Sequence, residues 1–338
     1  MLASTHHLPA VPQGLAAGNT RAALIAHRSP FVRAKYASVM QLVHSMGDAK
    51  MRSDALQLIA DPSPRYARKY PSVESRQALR DALAREGFVK ADAPVSGVFP
   101  PGTETGKIVQ PFWSAAGSDL NSHHSYPGGL LVHELFNSTI AANFERTYDA
   151  IYFDNASRVN RDVVIAAALY HDIMKTVVFQ FNDDGTLLPE LSIGDTGGHH
   201  CLSGAEAIAR GHDARFVTVL LSAHAAPSLG DEQKVVTWCR AAAIIAGVDP
   251  VEFGLVKKTA DGYALATLPP IETFVNHLSD HDYVLTIPAV REVAARLHAV
   301  NPSLWYRHEV LAKASAVALY QTLATHGETA FRKAISNA

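Results

Sequence analysis

Six residues of the types that bind metal ions recur along the chain: His133, the adjacent pair His171 and Asp172, His200, His224 and Asp249. The intervals are 38 residues from His133 to His171, then 28, 24 and 25 from Asp172 through His200 and His224 to Asp249. Each interval suits one helix and a loop, so successive helices of a bundle could each deliver one ligand to a shared centre. Imidazole and carboxylate in this ratio suit a hard-to-borderline divalent ion such as iron, manganese or zinc. His171 and Asp172 are the most informative pair. They close the run Val163–Tyr170, which carries no charge, so two polar side chains arrive at the end of a buried helix. Buried polar groups need partners, and a metal supplies one.

The elements that must position these residues read as helices. Apolar residues recur with helical period from Thr20 to Met46, with a break near Ser29 and Pro30. Ser72 or Ser75 announces a second helix over Arg76–Glu86, which Gly87 stops. Residues 91–106 hold Pro94, Gly97, Pro100, Pro101, Gly102 and Gly106 and read as a linker. Helices are then predicted over 129–144, 161–174, 200–210, 214–225 and 232–248, and further on around 270–282, 288–299 and 304–335. Between them, Val177–Phe181 and Leu187–Leu191 flank Asp183, Asp184 and Gly185 and signal a hairpin. Thr259–Leu268, with its Asp261–Gly262 turn, is a candidate second one. The expected class is all-α with one or two small β hairpins. The expected organisation is a disordered leader at 1–20, an N-terminal helical region and linker at 21–106, a metal-binding domain at 107–258 and a helical extension at 259–338.

Bulk properties fit a soluble enzyme. The 338 residues are 48% hydrophobic, enough for a core. No apolar run reaches the ~18 residues of a membrane helix, and no basic region followed by an apolar run marks a secretory signal. His6 and His7 fall in the leader. Cys201 and Cys239 are the only cysteines, which reads as a reduced, cytoplasmic chain in which the sequons at Asn137 and Asn155 carry no meaning. Residues 1–100 hold 13 Lys and Arg against 7 Asp and Glu, and the rest 17 against 25. The basic part is suited to gathering an anionic substrate, although a plain solvated helical surface accounts for it more simply.

The segments His123–His133 (HHSYPGGLLVH) and Leu169–Lys175 (LYHDIMK) resemble the two leading motifs of the HD superfamily of metal-dependent phosphohydrolases. The first is similar to the form found in HD-domain 3′–5′ exoribonucleases and their relatives. His200–Ala205 (HCLSGA), Leu220–His224 (LLSAH) and Ile245–Asp249 (IAGVD) resemble the later motifs in order, so the likeness covers about residues 119–255. It implies an HD-domain helical bundle in which His133, His171, Asp172 and Asp249 form the core metal set. Asp172 would bridge two ions, with His200 and His224 completing the second site. The ions would be iron or manganese for preference, with zinc, nickel or magnesium as alternatives. Asp172 and Lys175 would act in catalysis, Lys175 by setting a cation against a substrate phosphate, and His124 or His123 by binding phosphate or protonating a leaving group. A helix-terminal role for Lys175 and a turn-stabilising role for His124 stand beside these. His199 is the competing register for His200. The sequence departs from the pattern at Ala223, where a second histidine is common, and at Met174, where glycine is usual.

The function so implied is hydrolysis of a phosphoester, a nucleotide or short oligonucleotide, by a two-metal-activated hydroxide. The alternatives are an HD-fold di-iron oxygenase, a 3′–5′ exonuclease on single-stranded nucleic acid, and a regulatory module whose core is structural. Residues 1–110 do not resemble the nucleic-acid-binding barrel that accompanies the exoribonucleases, so a small phosphorylated substrate is favoured over nucleic acid, and no membrane partner is expected. Gly102–Ile108 falls one residue short of a phosphate-binding loop, and His133–Asn137 lacks the second histidine of a zinc protease motif. Arg65–Tyr70 (RYARKY) interleaves cations and aromatics in a way that could stack bases, but it reads better as an amphipathic surface segment. Cys201, one residue off the axis of His200, reads as core.

Overall fold

The computed structural model of the chain describes residues 7–104, 107–153, 158–228 and 230–337. His6, Gly106 and Asn155, named above in the leader, the linker and a sequon, lie outside them. The N-terminal helices are α1 Ala17–Arg28, α2 Pro30–His44, α3 Ala49–Ala60, α4 Val73–Arg85 and the single turn α5 Val95–Val98. Then come α6 Gly129–Tyr152, α7 Arg161–Tyr170, the single turn α8 Lys175–Val178, α9 Gly198–Ala209, α10 Ala214–Leu221 and α11 Glu232–Ile245. The last are α12 Ile271–Ser279, α13 Tyr283–Val300, α14 Leu304–Ala314 and α15 Ala316–Ser336. Two antiparallel hairpins interrupt them, β1 Ser192–Ile193 with β2 Thr196–Gly197 and β3 Val256–Thr259 with β4 Gly262–Leu265. The class is all-α with two small hairpins, as the periodicity predicts. No helix among the described residues is long and apolar enough to cross a membrane.

Local chemistry explains most boundaries. The break between α1 and α2 falls at Ser29, whose hydroxyl accepts from the Val32 N–H (3.0 Å) and donates to the Ala312 carbonyl (2.7 Å), with Pro30 opening the helix. Ser72 and Ser75 cap α4 reciprocally. The sequence reading overlooks α3, whose apolar face is narrow (Ala55, Leu58, Ile59) and whose start is set by Asp48 accepting from Met51 N–H. Part of the expected leader at 1–20 is ordered among the described residues. Leu8 is buried, α1 begins at Ala17, and Asn19 joins Gln180 (3.0 Å) and the Phe181 N–H (2.9 Å).

Helix α7 organises the centre of the bundle. Every residue from Val164 to Tyr170 is buried, because α3, α6, α10 and α12 all pack against it. A helix apolar on all sides has no solvent face to present. Asn160 caps its start by accepting from Asp162 and Val163 N–H, and Glu272 of α12 accepts from Asn160 N–H in turn. The residues that leave the end of α7, His171 and Asp172, are therefore buried as well.

The predicted hairpin over 177–191 is shorter than expected. Residues 175–178 form α8, the pairing shrinks to a bridge between Phe181 and Leu187, and the two-residue strands occur at 192–197. The cause is packing: Val177 and Val178 are both buried, which alternating strand exposure would not allow. The RYARKY segment is docked on the bundle. Glu206 of α9 accepts from the N–H groups of Arg65 (2.6 Å) and Tyr66 (3.2 Å), Tyr66 is fully buried, and Lys69 donates to the Ala246 carbonyl past the end of α11 (2.6 Å). Its tyrosine Tyr66 is unavailable for stacking on bases.

Candidate metal centre

Asp172 lies at the middle of a buried cluster of imidazoles. Helix α7 ends at Tyr170, so His171 and Asp172 occupy the turn that follows, and Lys175 opens α8 one turn later. From α6 comes His133, whose Nε2 stands 3.1 Å from Asp172 Oδ2 and 3.2 Å from Asp280 Oδ1. His171 turns its Nε2 to the same two oxygens at 3.3 and 3.6 Å, while its Nδ1 meets the Ala168 carbonyl at 2.6 Å. Helix α9 supplies His199, with Nε2 3.0 Å from Asp172 Oδ1. The turn after α10 supplies His224, with Nε2 3.4 Å from Asp172 Oδ1 and Nδ1 3.2 Å from Asp280 Oδ2. Lys175 is buried, pairs with Asp172 Oδ2 and donates to the Gly117 carbonyl at 2.6 Å. That geometry sets aside the helix-terminal reading of Lys175, since it sits at the start of a helix and points inward.

Two expectations of the sequence reading change. Asp249 does not join the cluster. It is exposed, and its Oδ1 accepts from the N–H groups of Val251 (2.8 Å) and Glu252 (2.9 Å), which fixes the turn after α11. The second carboxylate is Asp280, at the end of α12. The other change is an addition on α9, where His199 joins His200 beside Asp172. His199 points at Asp172, whereas His200 meets Thr196 Oγ1 through its Nδ1 (2.5 Å) and stacks on His224 with centroids 3.4 Å apart. His200 stays in the same neighbourhood, since one of its nitrogens falls in the group of Asp172, His199 and His224. Cys201 is buried with its sulfur toward the Ile193 carbonyl, as a core residue.

The imidazoles are backed by carboxylates and an amide that the sequence reading did not single out. Glu190 Oε1 accepts from His199 N–H (2.7 Å) and contacts His199 Nδ1. Glu134 Oε2 is 3.4 Å from His171 Nδ1, and Asp282 Oδ1 is 3.5 Å from His133 Nδ1. Asn137, one turn beyond His133 on α6, reaches His133 Nε2 (3.1 Å) and Asp280 Oδ1 (3.0 Å). The sequon at Asn137 is therefore in the core. The available signal for Asp280 and Asp282 was their clustering with His281 directly after an apolar helix. Glu190 and Glu134 carried none, being single acids in unremarkable surroundings.

Charge and burial oppose each other here. Burial alone would raise Asp172, but His171, Lys175 and His199 outweigh it and hold the carboxyl well below its usual range. Asp280 is likewise held well below, by His171 and His224 against its burial. Burial works against charge on His133 and His171 too, yet the facing carboxylates raise both well above the ordinary imidazole value. His199 is raised in the same way by Glu190 and Asp172. In His200 and His224 burial prevails and the pKa falls.

The donor set fits a divalent cation. His171 Nε2, His199 Nε2, His224 Nε2 and Asp172 Oδ1 are buried without a hydrogen bond, although imidazole and carboxylate atoms crowd to 3.0–3.6 Å. Lone pairs converging without hydrogen-bond geometry are what a metal site leaves when its ion is not counted. His133, His171 and Asp280 form one group able to hold an ion, and Asp172, His199, His200 and His224 another.

Among curated proteins, the chain is similar to a dihydroneopterin 2′,3′-cyclic phosphate phosphodiesterase of Methanocaldococcus jannaschii, with 30% identity over 114 residues. The matched stretch is 34% of this chain and 43% of that protein, so the chain spans less than half the length of the curated relative it matches. No family profile matches the sequence, and no solved structure matches it.

Proposed function

We propose that the chain is a metal-dependent phosphohydrolase of the HD type acting on a small phosphoester. The observation that carries this is the fully buried Asp172 carboxylate, faced by His133, His171, His199 and His224 and paired with Lys175. The similarity to a phosphodiesterase over a third of the chain supports it. The residues that would hold the ions are His133, His171, Asp172, Asp280, His199 and His224, with His199 ahead of His200 on α9 and Asp280 in place of Asp249. Divalent ions there, iron or manganese for preference, would supply the positive charge that stabilises a phosphoryl transition state. The chain's own residues do the rest. Glu190 orients His199 through the Nδ1 that faces away from Asp172, and Lys175 holds a fixed cation where substrate phosphate would gather charge. The burial of the group keeps water from screening that charge.

A small substrate is favoured over a polynucleotide because the one segment of the N-terminal region that interleaves cations and aromatics is docked on the bundle, which takes Tyr66 away from stacking on bases. Lys69 and Arg65 lie in the segment docked on α9 and α11, and Tyr66 is inside. The test is a panel of 2′,3′-cyclic nucleotides, nucleoside monophosphates and a single-stranded oligonucleotide, assayed on metal-stripped protein with Mn2+ or Fe2+ added and O2 uptake followed in parallel. Ion-dependent release from the small esters, lost in Asp172→Ala, is expected. O2 uptake without phosphoester cleavage would replace the reading by an oxygenase. A strong preference for the oligonucleotide would replace it by a nuclease.

A further inference from the structure

Next to the Asp172 cluster, on the opposite side of the His133 ring, stands a second group of donors. We propose that His123, His124 and Asp282, with Nδ1 of His133, form an additional site for a borderline divalent cation such as Co2+ or Zn2+. The proposal rests on the metal-centre reading above only in that His133, held as the imidazolate after its ring N–H proton leaves to solvent, would offer its Nε2 to one centre and its Nδ1 to the other.

The distances suit such an ion. Nitrogen and oxygen ligands ~2.1 Å from a tetrahedral cation stand about 3.4 Å from one another. His133 Nδ1 lies 3.5 Å from Asp282 Oδ1, and through other atoms of His124 and Asp282 the remaining neighbours approach as closely, His123 Nδ1 to His124 Nδ1 at 3.3 Å and His124 Nε2 to Asp282 Oδ2 at 3.6 Å. One donor atom from each of the four residues falls within 4.8 Å of every other. Two of the atoms facing this space lack a partner: His133 Nδ1, on a residue 1% exposed, and Asp282 Oδ1, on a side chain 7% exposed, are buried without a hydrogen bond. A buried polar atom left in that state is costly unless something satisfies it. The carboxylate decides the sign of the occupant, since a phosphate placed here would face Asp282, whereas a cation is neutralised by it.

Local structure commits both ends of the group to this place. Asp282 precedes the 18-residue helix α13 in the capping position but makes no capping bond; its carboxylate is turned to His133 and His124 instead. His124 has φ +54°, a left-handed conformation that a residue with a Cβ rarely adopts. It is fixed there by the N–H groups of Gly117 (2.9 Å) and Tyr126 (2.8 Å) on its carbonyl, and a Cβ on Gly129 would stand 1.8 Å from that same oxygen. The glycines let the backbone close around a histidine aimed at Asp282.

The test counts ions. Chelator-stripped protein is reloaded with Co2+, desalted and analysed for cobalt per chain, together with His123→Ala, Asp282→Asn and Asp172→Ala. His123→Ala and Asp282→Asn are each expected to hold about one Co2+ per chain fewer than the wild type and to lose the same part of the cobalt d–d spectrum. Asp172→Ala is expected to lose a different part, from the main centre. Thermal unfolding of the stripped forms establishes that each variant folds, and His123→Ala, which removes no charge, serves if Asp282→Asn does not. Wild-type cobalt content and spectrum in His123→Ala would overturn the proposal and leave Asp282 as a residue that only orients His133. Failure of the main centre shows separately, as unchanged cobalt in Asp172→Ala.

Discussion

Replacing Glu190 by alanine isolates the contribution of a residue that touches no proposed ion itself. Its Oε1 accepts from the backbone N–H of His199 at 2.7 Å and contacts His199 Nδ1, so one oxygen fixes both the start of α9 and the ring that points at Asp172. The fit is close: a Cβ on Gly197 would fall 2.8 Å from Glu190 Oε2 and 2.8 Å from His199 Cε1. Glu190 also lines two surface cavities, of about 460 and 230 Å3, so water can occupy the space the side chain leaves and the fold loses little. The metal should lose more. An outer carboxylate on a ligand histidine is worth ~10–100-fold in metal affinity, which is about 1.4–2.7 kcal/mol. Glu190→Gln keeps an acceptor for the Nδ1 proton and should lose less than Glu190→Ala. The assay is competition for Zn2+ or Mn2+ against a fluorescent chelator, with His200→Ala as the comparison. An unchanged affinity in Glu190→Ala, or a larger loss in His200→Ala than in His199→Ala, would refute the assignment of His199 as the ligand on α9.

Lys175→Met should retain the metal and fold while kcat/KM for phosphoesters falls ~100-fold or more, because the cation paired with Asp172 is gone; the check is turnover alongside metal content. Gly129→Ala should lower the denaturation midpoint by an amount equivalent to ~3 kcal/mol or more, since its Cβ would collide with the His124 carbonyl at 1.8 Å. Burial pushes His308 down to about 4, so it stays neutral in the folded chain while an unfolded one takes up a proton near 6.5. Stability from this residue is therefore full above pH 6.5 and is lost as pH falls toward 4, by about 3 kcal/mol. Denaturant titrations of the metal-stripped protein over that range should be less steep in pH for His308→Gln, and equal slopes would contradict the assignment. Metal binding should release protons and strengthen with rising pH, because carboxylates hold His133, His171 and His199 above their ordinary values in the metal-free cluster; calorimetry in buffers of different ionisation enthalpy measures it.

The sequence was most legible where one residue's chemistry governs local structure. The uncharged run before His171 and Asp172 announced a helix buried on all sides, and α7 is that helix. Ser29 with Pro30 and Ser72 with Ser75 marked helix starts that the chain uses. Legibility failed where the answer depends on which side of a helix faces inward. His199 and His200 are adjacent, and the choice between them is made by Glu190 and Thr196, whose proximity no spacing reveals. The acid was misplaced for a related reason. Asp249 stands at the interval that one helix and a loop would give, but its carboxylate caps its own turn, and the chain adds a hairpin and α12 before Asp280 arrives beside His133 and His171. The predicted hairpin at 177–191 keeps its turn and the Phe181–Leu187 pairing but is shorter than expected, because α8 buries both valines that alternation would have divided between core and solvent.

The most direct test of the central claim is anomalous diffraction at the manganese edge from crystals soaked in Mn2+. The account predicts density among Asp172, His133, His171, Asp280, His199 and His224. Density at Asp249, with none beside Asp172, would contradict it.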